Sequence, residues 1–201
     1  SLRSAVEQSK NGVAYSVFYD IKPSYGLDFI SDMKFDKIVP QDYTLSAALG
    51  GLTYGATTVQ MASGYCTLAN QGEYRDPTCI VSLKDSDGKE LYEEEKPKQV
   101  YDASACSVML DILKGVLTVG TAKSMKWSES SALPAAGKTG TTNGSKDGWF
   151  CGVTPYYTIS VWVGYDTPKT LDSLYGGTYP AGVWKDAMLY LTQGTGVIDF
   201  N

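Results

Sequence analysis

The chain has 201 residues, 43% hydrophobic and 19% charged, enough for one globular domain with a core of its own. Seventeen basic against 22 acidic side chains leave a formal charge of −5, which argues against nucleic acid as a partner because phosphate binding needs clustered lysine and arginine. Histidine is absent, and with it any Ser-His-Asp or Cys-His catalytic arrangement and any His-ligated zinc site, so acid–base chemistry falls to Lys, Asp, Glu, Tyr or Ser.

The predicted elements begin with a short helix capped by Ser1, with Leu2, Ala5 and Val6 on one face. Ser9 falls on that inward face, and Gly12 allows a break before a second stripe at Val13, Ala14, Val17 and Phe18. Residues 22–55, rich in Gly, Pro, Asp and Tyr, read as loop with short irregular pieces. A third helix runs from Thr57 to Asn70, with Thr58, Met61, Ala62, Tyr65, Cys66 and Ala69 inward, and Gly72 suits its stop. Cys79, Val81 and Leu83 alternate as a strand does, and Asp87-Gly88 before Leu91 marks a hairpin whose solvated end is Glu93-Glu94-Glu95. A fourth helix spans Ala103 to Leu117, with Cys106, Met109, Leu110, Leu113 and Leu117 on one side.

Three consecutive antiparallel strands follow: Gly137–Thr142 up to the Asn143-Gly144 turn, then a strand through Trp149, Cys151 and Val153, then Tyr157, Ile159, Val161 and Val163 at a period of two. A last helix begins near Ala181. The order predicts an α+β fold, an antiparallel β-sheet flanked by helices, in a single domain over residues 1–201. The four cysteines at 66, 79, 106 and 151 have no C-x-x-C spacing; they read as small core residues, with a disulfide open in an extracellular setting. No apolar run approaches the about 18 residues of a membrane span and no signal peptide opens the chain, so any anchor is expected outside it.

The segment Gly137-Lys138-Thr139-Gly140-Thr141-Thr142 combines a cation, three hydroxyls and two glycines. On a strand, Lys138, Gly140 and Thr142 point to one face and Thr139 and Thr141 to the other. Glycine admits a ligand backbone closely, and threonine hydroxyls with backbone N–H groups can receive a carboxylate or an oxyanion. It lacks the earlier glycine of a P-loop. Alone, it also reads as a polar strand before a turn, and Ser9-Lys10-Asn11 alone reads as a helix end.

Together, and in this order, Ser9-x-Asn11 and Lys138-Thr139-Gly140 resemble the second and third motifs of the penicillin-binding proteins and serine β-lactamases, whose first is S-x-x-K. The likeness extends to Leu2–Asn11, to Met61–Gly72 with its Ala-Asn-x-Gly end, to Gly120-Thr121-Ala122, to Asp147–Pro155, and to Val161-Trp162-Val163-Gly164-Tyr165-Asp166. With Gly177-Thr178-Tyr179-Pro180 and Val183-Trp184-Lys185, the chain is most similar to class A penicillin-binding proteins, the bifunctional peptidoglycan synthases of bacteria. One departure is large. In the family S-x-x-K precedes Ser-x-Asn, but here Ser31-Asp32-Met33-Lys34 follows it in polar sequence and Ser86-Asp87-Gly88-Lys89 sits on a hairpin turn. Both read as decoys. The chain is thus expected to be a C-terminal portion of a transpeptidase domain whose nucleophile segment lies elsewhere, on the same chain or a separate one.

The resemblance implies a D,D-transpeptidase that cross-links peptidoglycan stem peptides through a serine acyl-enzyme and binds β-lactam antibiotics. In its terms Ser9 relays a proton to the leaving amine, and Asn11 holds the substrate amide and orients the first-motif lysine. Lys138 holds a positive field at Ser9, and Thr139, Gly140, Thr141 and Thr142 form the substrate-binding strand, with the Thr139 and Thr141 hydroxyls on the substrate carboxylate. The Thr141 N–H supplies half of the oxyanion hole. No metal or organic cofactor is implied, and the expected location is the extracytoplasmic face of the bacterial membrane. Two alternatives stay open: a serine β-lactamase-like hydrolase, which needs a base for a deacylating water, and a non-catalytic cell-wall peptide or β-lactam-binding module. For proton relay, Ser9 and Lys138 must lie roughly 2.6–3.2 Å apart. Asn11 is expected in the same cleft, beside an open apolar groove.

Overall fold

Ser1 caps the first helix in the computed structural model, which describes residues 1–200, and its hydroxyl accepts from the Ser4 N–H at 3.3 Å. Asn201, the last residue of the predicted domain, lies outside the described residues. In α1 (Leu2–Glu7) Ala5 is buried, whereas Leu2 stays exposed. The chain turns through Ser9 at φ +52, and α2 (Asn11–Ile21) starts at once, so Gly12 lies inside the helix and marks no break. Val13 and Val17 of the predicted second stripe remain exposed. The predicted loop over 22–55 is overturned in part by α3 (Pro23–Asp32): Pro23 occupies a first-turn position, where a missing N–H costs nothing, and Leu27 is buried. Two 3-10 turns follow, Pro40–Asp42 and Leu45–Leu49.

Helix α4 (Thr58–Ala69) starts where the sequence places it, because Thr57 and Gln60 cap each other. The Gln60 N–H donates to Thr57 Oγ1 at 3.1 Å and the Thr57 N–H to Gln60 Oε1 at 3.0 Å. Its buried residues are Ser63 and Thr67, and Cys66 is exposed, so the inward face is rotated from the predicted stripe. Gly72 takes φ +86 at the helix stop, where an added Cβ would lie 2.1 Å from the Tyr101 carbonyl oxygen. Strands β1 (Glu73–Tyr74) and β2 (Lys98–Gln99) pair antiparallel. Between them the predicted hairpin is a single bridge, Lys84 to Glu90, and Val81 is 95% exposed. No strand forms there among the described residues, because the segment packs against too little to bury its alternating side chains.

Asp102 caps α5 (Ala103–Thr118), accepting from the Ser104 and Ala105 N–H groups. The helix buries Cys106, Leu110, Leu113, Val116 and Leu117, but leaves Met109 exposed. After the short α6 (Trp127–Ser130), strands β3 (Ala136–Thr141), β4 (Asp147–Val153) and β5 (Thr158–Gly164) form one antiparallel sheet in that order, and α7 (Tyr179–Leu191) returns across it. The register sets Lys138 opposite Cys151, Thr139 opposite Phe150 and Gly140 opposite Trp149. One sheet face meets α7. There Trp184 is fully buried, packs on Trp127 and Phe150 with ring centroids 5.1 and 5.2 Å away, and donates from Nε1 to the Gly152 carbonyl at 3.1 Å. A Cβ on Gly152 would come within 2.7 Å of the Trp184 ring, so glycine there permits the packing. Helix α4 packs on β4 and β5, and α5 runs against β3, leaving β3 as a sheet edge. All four cysteines are free; Cys106 and Cys151 are core residues, while Cys66 and Cys79 are exposed, correcting the reading of four core thiols.

Candidate active site

Residue 9 owes its place to α1. The Glu7 carbonyl accepts from the Thr121 N–H at 3.2 Å, and Gln8 Nε2 donates to the Val119 carbonyl at 3.0 Å, pinning the helix end to the end of α5. Contact is close. A Cβ on Gly120 would lie 2.3 Å from Glu7 O, and one on Gly115 would lie 2.2 Å from the Glu7 carboxylate. Ser9 then takes the left-handed conformation, which non-glycine residues enter at some cost.

Across from it, Lys138 on β3 donates from Nζ to Ser9 Oγ at 2.8 Å and to the Thr139 carbonyl at 3.1 Å. Both partners are neutral oxygens. Burial therefore goes uncompensated, and it pulls the lysine from 10.5 down to about 8. An amine titrating there can hold or release a proton near neutral pH, as a relay requires.

The rest of β3 is arranged by its neighbours. The Thr142 N–H donates to the Asp147 carbonyl at 3.0 Å. In an antiparallel ladder the next pair, Thr141 with Gly148, is then non-hydrogen-bonded, and the Thr141 N–H points away from β4 to the open edge. Thr141 Oγ1 accepts from the Gly176 N–H at 3.0 Å, and Thr139 Oγ1 lies 2.6 Å from Thr121 Oγ1. Lys138 and Gly140 share the other face with their partners Cys151 and Trp149. A groove of about 940 Å³ runs along β3, bounded by residues 138–142, Trp149 and Cys151 on one side and by Met33, Phe35, Met61, Tyr65 and Leu68 on the other. Burial raises the Tyr65 phenol and lifts the Cys151 thiol to about 11, so both are neutral lining groups.

The family model for the penicillin binding protein transpeptidase domain matches residues 1–189. The chain is 33% identical over 189 residues to penicillin-binding protein 4 of Bacillus subtilis, covering 94% of this chain and 30% of that protein. To penicillin-binding protein 1A of Clostridium acetobutylicum it is 35% identical over 191 residues, covering 94% and 23%. The chain belongs to the penicillin-binding protein transpeptidase family. Among solved structures it resembles penicillin-binding protein 1A from Haemophilus influenzae (TM-score 0.82, 20% identity, covering all of this chain and 35% of that one). It resembles PonA1 of Mycobacterium tuberculosis, solved with penicillin V, equally well (TM-score 0.82, 22% identity, 100% and 58% covered). These likenesses show the penicillin-binding transpeptidase fold, the mixed α+β arrangement expected from the sequence. The chain spans under a third of the length of these two curated relatives, 30% and 23%.

Against the family's motifs, the structure brings Ser9 and Lys138 together and sets Lys138, Thr139, Gly140, Thr141 and Thr142 along the groove. Asn11 is exposed at the start of α2 and is not among the residues lining the groove. Thr142 donates its hydroxyl to Asp147 Oδ2 at 3.1 Å and accepts from the Asp147 N–H at 2.8 Å, which ties the side chain to the β3–β4 turn. Neither S-x-x-K string sits in a buried site. Ser31 is exposed near the end of α3, and Lys34 is ion-paired to Asp76 and Glu95 at 2.9 and 2.6 Å, which hold it charged. Ser86 lies on the exposed turn beside Gly88 at φ +81.

Sequence reasoning passed over three residues. Thr121 had no role, although its Gly-Thr-Ala block was visible. Gly176 belongs to a Gly-Gly pair; its Cβ would lie 2.3 Å from the Trp149 carbonyl. Asp42, 1% exposed, accepts from the Val39 N–H (3.0 Å) and from the N–H and hydroxyl of Thr53 (both 2.7 Å), which fixes the loop carrying Leu52 and Tyr54 to the groove.

Proposed function

We propose that this chain is the C-terminal portion of a serine D,D-transpeptidase domain that cross-links peptidoglycan stem peptides and is acylated by β-lactams. In this reading the nucleophilic serine and its lysine lie on a segment outside residues 1–201, which packs into the groove beside β3. The observation that carries it is the 2.8 Å contact between Lys138 Nζ and Ser9 Oγ, made by a lysine that burial brings to about 8.

The substrate's terminal carboxylate lies against Thr139 and Thr141, and the carbonyl under attack meets the outward Thr141 N–H, which stabilises the developing oxyanion. As the acyl-enzyme forms, the serine proton passes through the Lys138–Ser9 pair to the departing D-Ala amine. An amine of a second stem peptide then attacks the ester, loses a proton along the same route and restores the serine. No single helix among the described residues is long and apolar enough to cross a membrane. The location this reading implies is the extracytoplasmic face of the bacterial membrane.

The test is acylation of the full-length protein by a labelled penicillin, with Ser9→Ala and Lys138→Ala beside wild type. Each substitution is expected to slow acylation at least about 100-fold, the lower range for a positioned proton relay. Full rates in both variants would remove Ser9 and Lys138 from the mechanism.

A further inference from the structure

The 2.6 Å contact between Thr121 Oγ1 and Thr139 Oγ1 has a direction, and that direction decides what Thr139 can offer a ligand. A threonine hydroxyl carries one proton and two lone pairs. Were Thr139 the donor, its proton would be spent on Thr121 and only lone pairs would face the groove, which repel a carboxylate. With Thr121 as the donor, the Thr139 proton is free to reach one.

We infer that Thr121 donates to Thr139 and so acts as a positioning residue for recognition of the substrate's carboxylate. Two neighbouring hydroxyls follow the same pattern. The Ser9 oxygen receives Lys138 Nζ–H and the Thr141 oxygen receives the Gly176 N–H, so a fixed donor behind each oxygen leaves its own proton for outward bonds. Thr121 is the corresponding donor for Thr139, and the main chain holds it in place. Its N–H is bound to Glu7 O at 3.2 Å, and the flanking Gly120 and Ala122 N–H groups bind Gly115 O at 2.9 Å and Val116 O at 3.0 Å. On the other side its carbonyl sits where a Cβ on Gly177 would come within 2.3 Å, so the 176–178 turn closes down on it. Lys138, on the same strand, adds a positive charge that makes an anion the favoured guest. Thr121 thereby joins the two motifs: its backbone holds the helix that delivers Ser9, and its side chain sets the hydroxyl of Thr139.

The inference rests on the reading of Thr139 as a carboxylate binder, and the test separates the two. In the full-length protein, acylation rates are measured with benzylpenicillin and with its methyl ester, for wild type, Thr121→Val, Thr121→Ser, Thr139→Val and the double valine variant. Thr121→Val is expected to slow the free acid about fivefold, within the range for one neutral hydrogen bond, because the Thr139 hydroxyl loses the contact that holds its proton outward, and to leave the ester within about twofold. Thr121→Ser restores the rate, and the double variant is no slower than Thr139→Val alone. If Thr139→Val abolishes the preference for acid over ester while Thr121→Val keeps it, the inference fails and the carboxylate site stands. Equal slowing of acid and ester by Thr121→Val would make the residue structural only and would also overturn it. If Thr139→Val keeps the preference, or wild type forms no acyl-enzyme, the underlying reading falls and this inference with it.

Discussion

Lys138 costs the fold stability at neutral pH, and a single substitution should recover it. Burial lowers its pKa from 10.5 to about 8, so the folded chain binds this proton less tightly than the unfolded one. Below about pH 8 both states are charged and the whole penalty is present. The gap of about 2.5, at about 1.4 kcal/mol per pH unit, amounts to about 3 kcal/mol. Between about 8 and 10.5 the unfolded chain keeps a proton that the folded chain has released, so stability rises with pH; above that window the penalty is gone. Lys138→Met keeps the length of the stem without the charge, and forfeits the bonds to Ser9 and Thr139, about 1 kcal/mol each. The variant should therefore be about 1 kcal/mol more stable than wild type at about pH 7 and about 2 kcal/mol less stable at about pH 11. Urea unfolding of both chains across this range gives the difference, in which every other titrating group cancels. A difference that does not change with pH, or that moves in the variant's favour as pH rises, would refute the uncompensated burial of Lys138.

Gly120→Ala should displace the end of α1, since the new Cβ would meet Glu7 O at 2.3 Å and Val116 Cα at 2.7 Å, neither of which can swing away. A loss of more than about 2 kcal/mol in urea unfolding is expected, with slower penicillin acylation of the full-length protein because Ser9 moves too. Thr57→Ala removes the reciprocal cap of α4 and should cost about 1 kcal/mol by the same unfolding assay. A thiol reagent should label Cys66 and Cys79 promptly in the native chain, reach Cys106 and Cys151 only on unfolding, and count four thiols in unreduced, denatured protein. Fewer than four would place a disulfide where the structure has none among the described residues.

What the sequence carried best were elements whose signals are local. Thr57 and Gln60 announce α4 by spacing alone, and the alternation from Trp149 to Val163 gives the strands their period. The sequence of α3 reads as loop because Pro, Gly and Asp count as breakers, although Pro23 stands at the helix start where it is tolerated. The segment over 79–91 failed in the opposite sense: its alternation is strand-like, but extended pairing needs a surface to cover, and Val81 has none. At the site, the pairing of Ser9 with Lys138 followed from motif order, and the structure sets the two atoms 2.8 Å apart. The left-handed backbone at Ser9 closes α1 locally, with the Lys10 N–H donating to the Ala5 carbonyl at 2.8 Å and the Ser9 N–H to the Val6 carbonyl at 3.1 Å; the sequence hides it because serine stands where glycine or asparagine usually marks such a stop. Thr142 looked like its neighbours in composition; only the bonds to Asp147 separate it from them.

Locating the penicillin tests most directly whether residues 1–201 supply the second and third motifs of an acylation site whose nucleophile lies elsewhere. The full-length protein and the isolated chain are each incubated with benzylpenicillin, digested, and searched by mass spectrometry for the modified serine. The expected result is one stoichiometric adduct on an S-x-x-K serine outside residues 1–201 and none on the isolated chain. An adduct on Ser31, Ser86 or any other serine within the chain would contradict it.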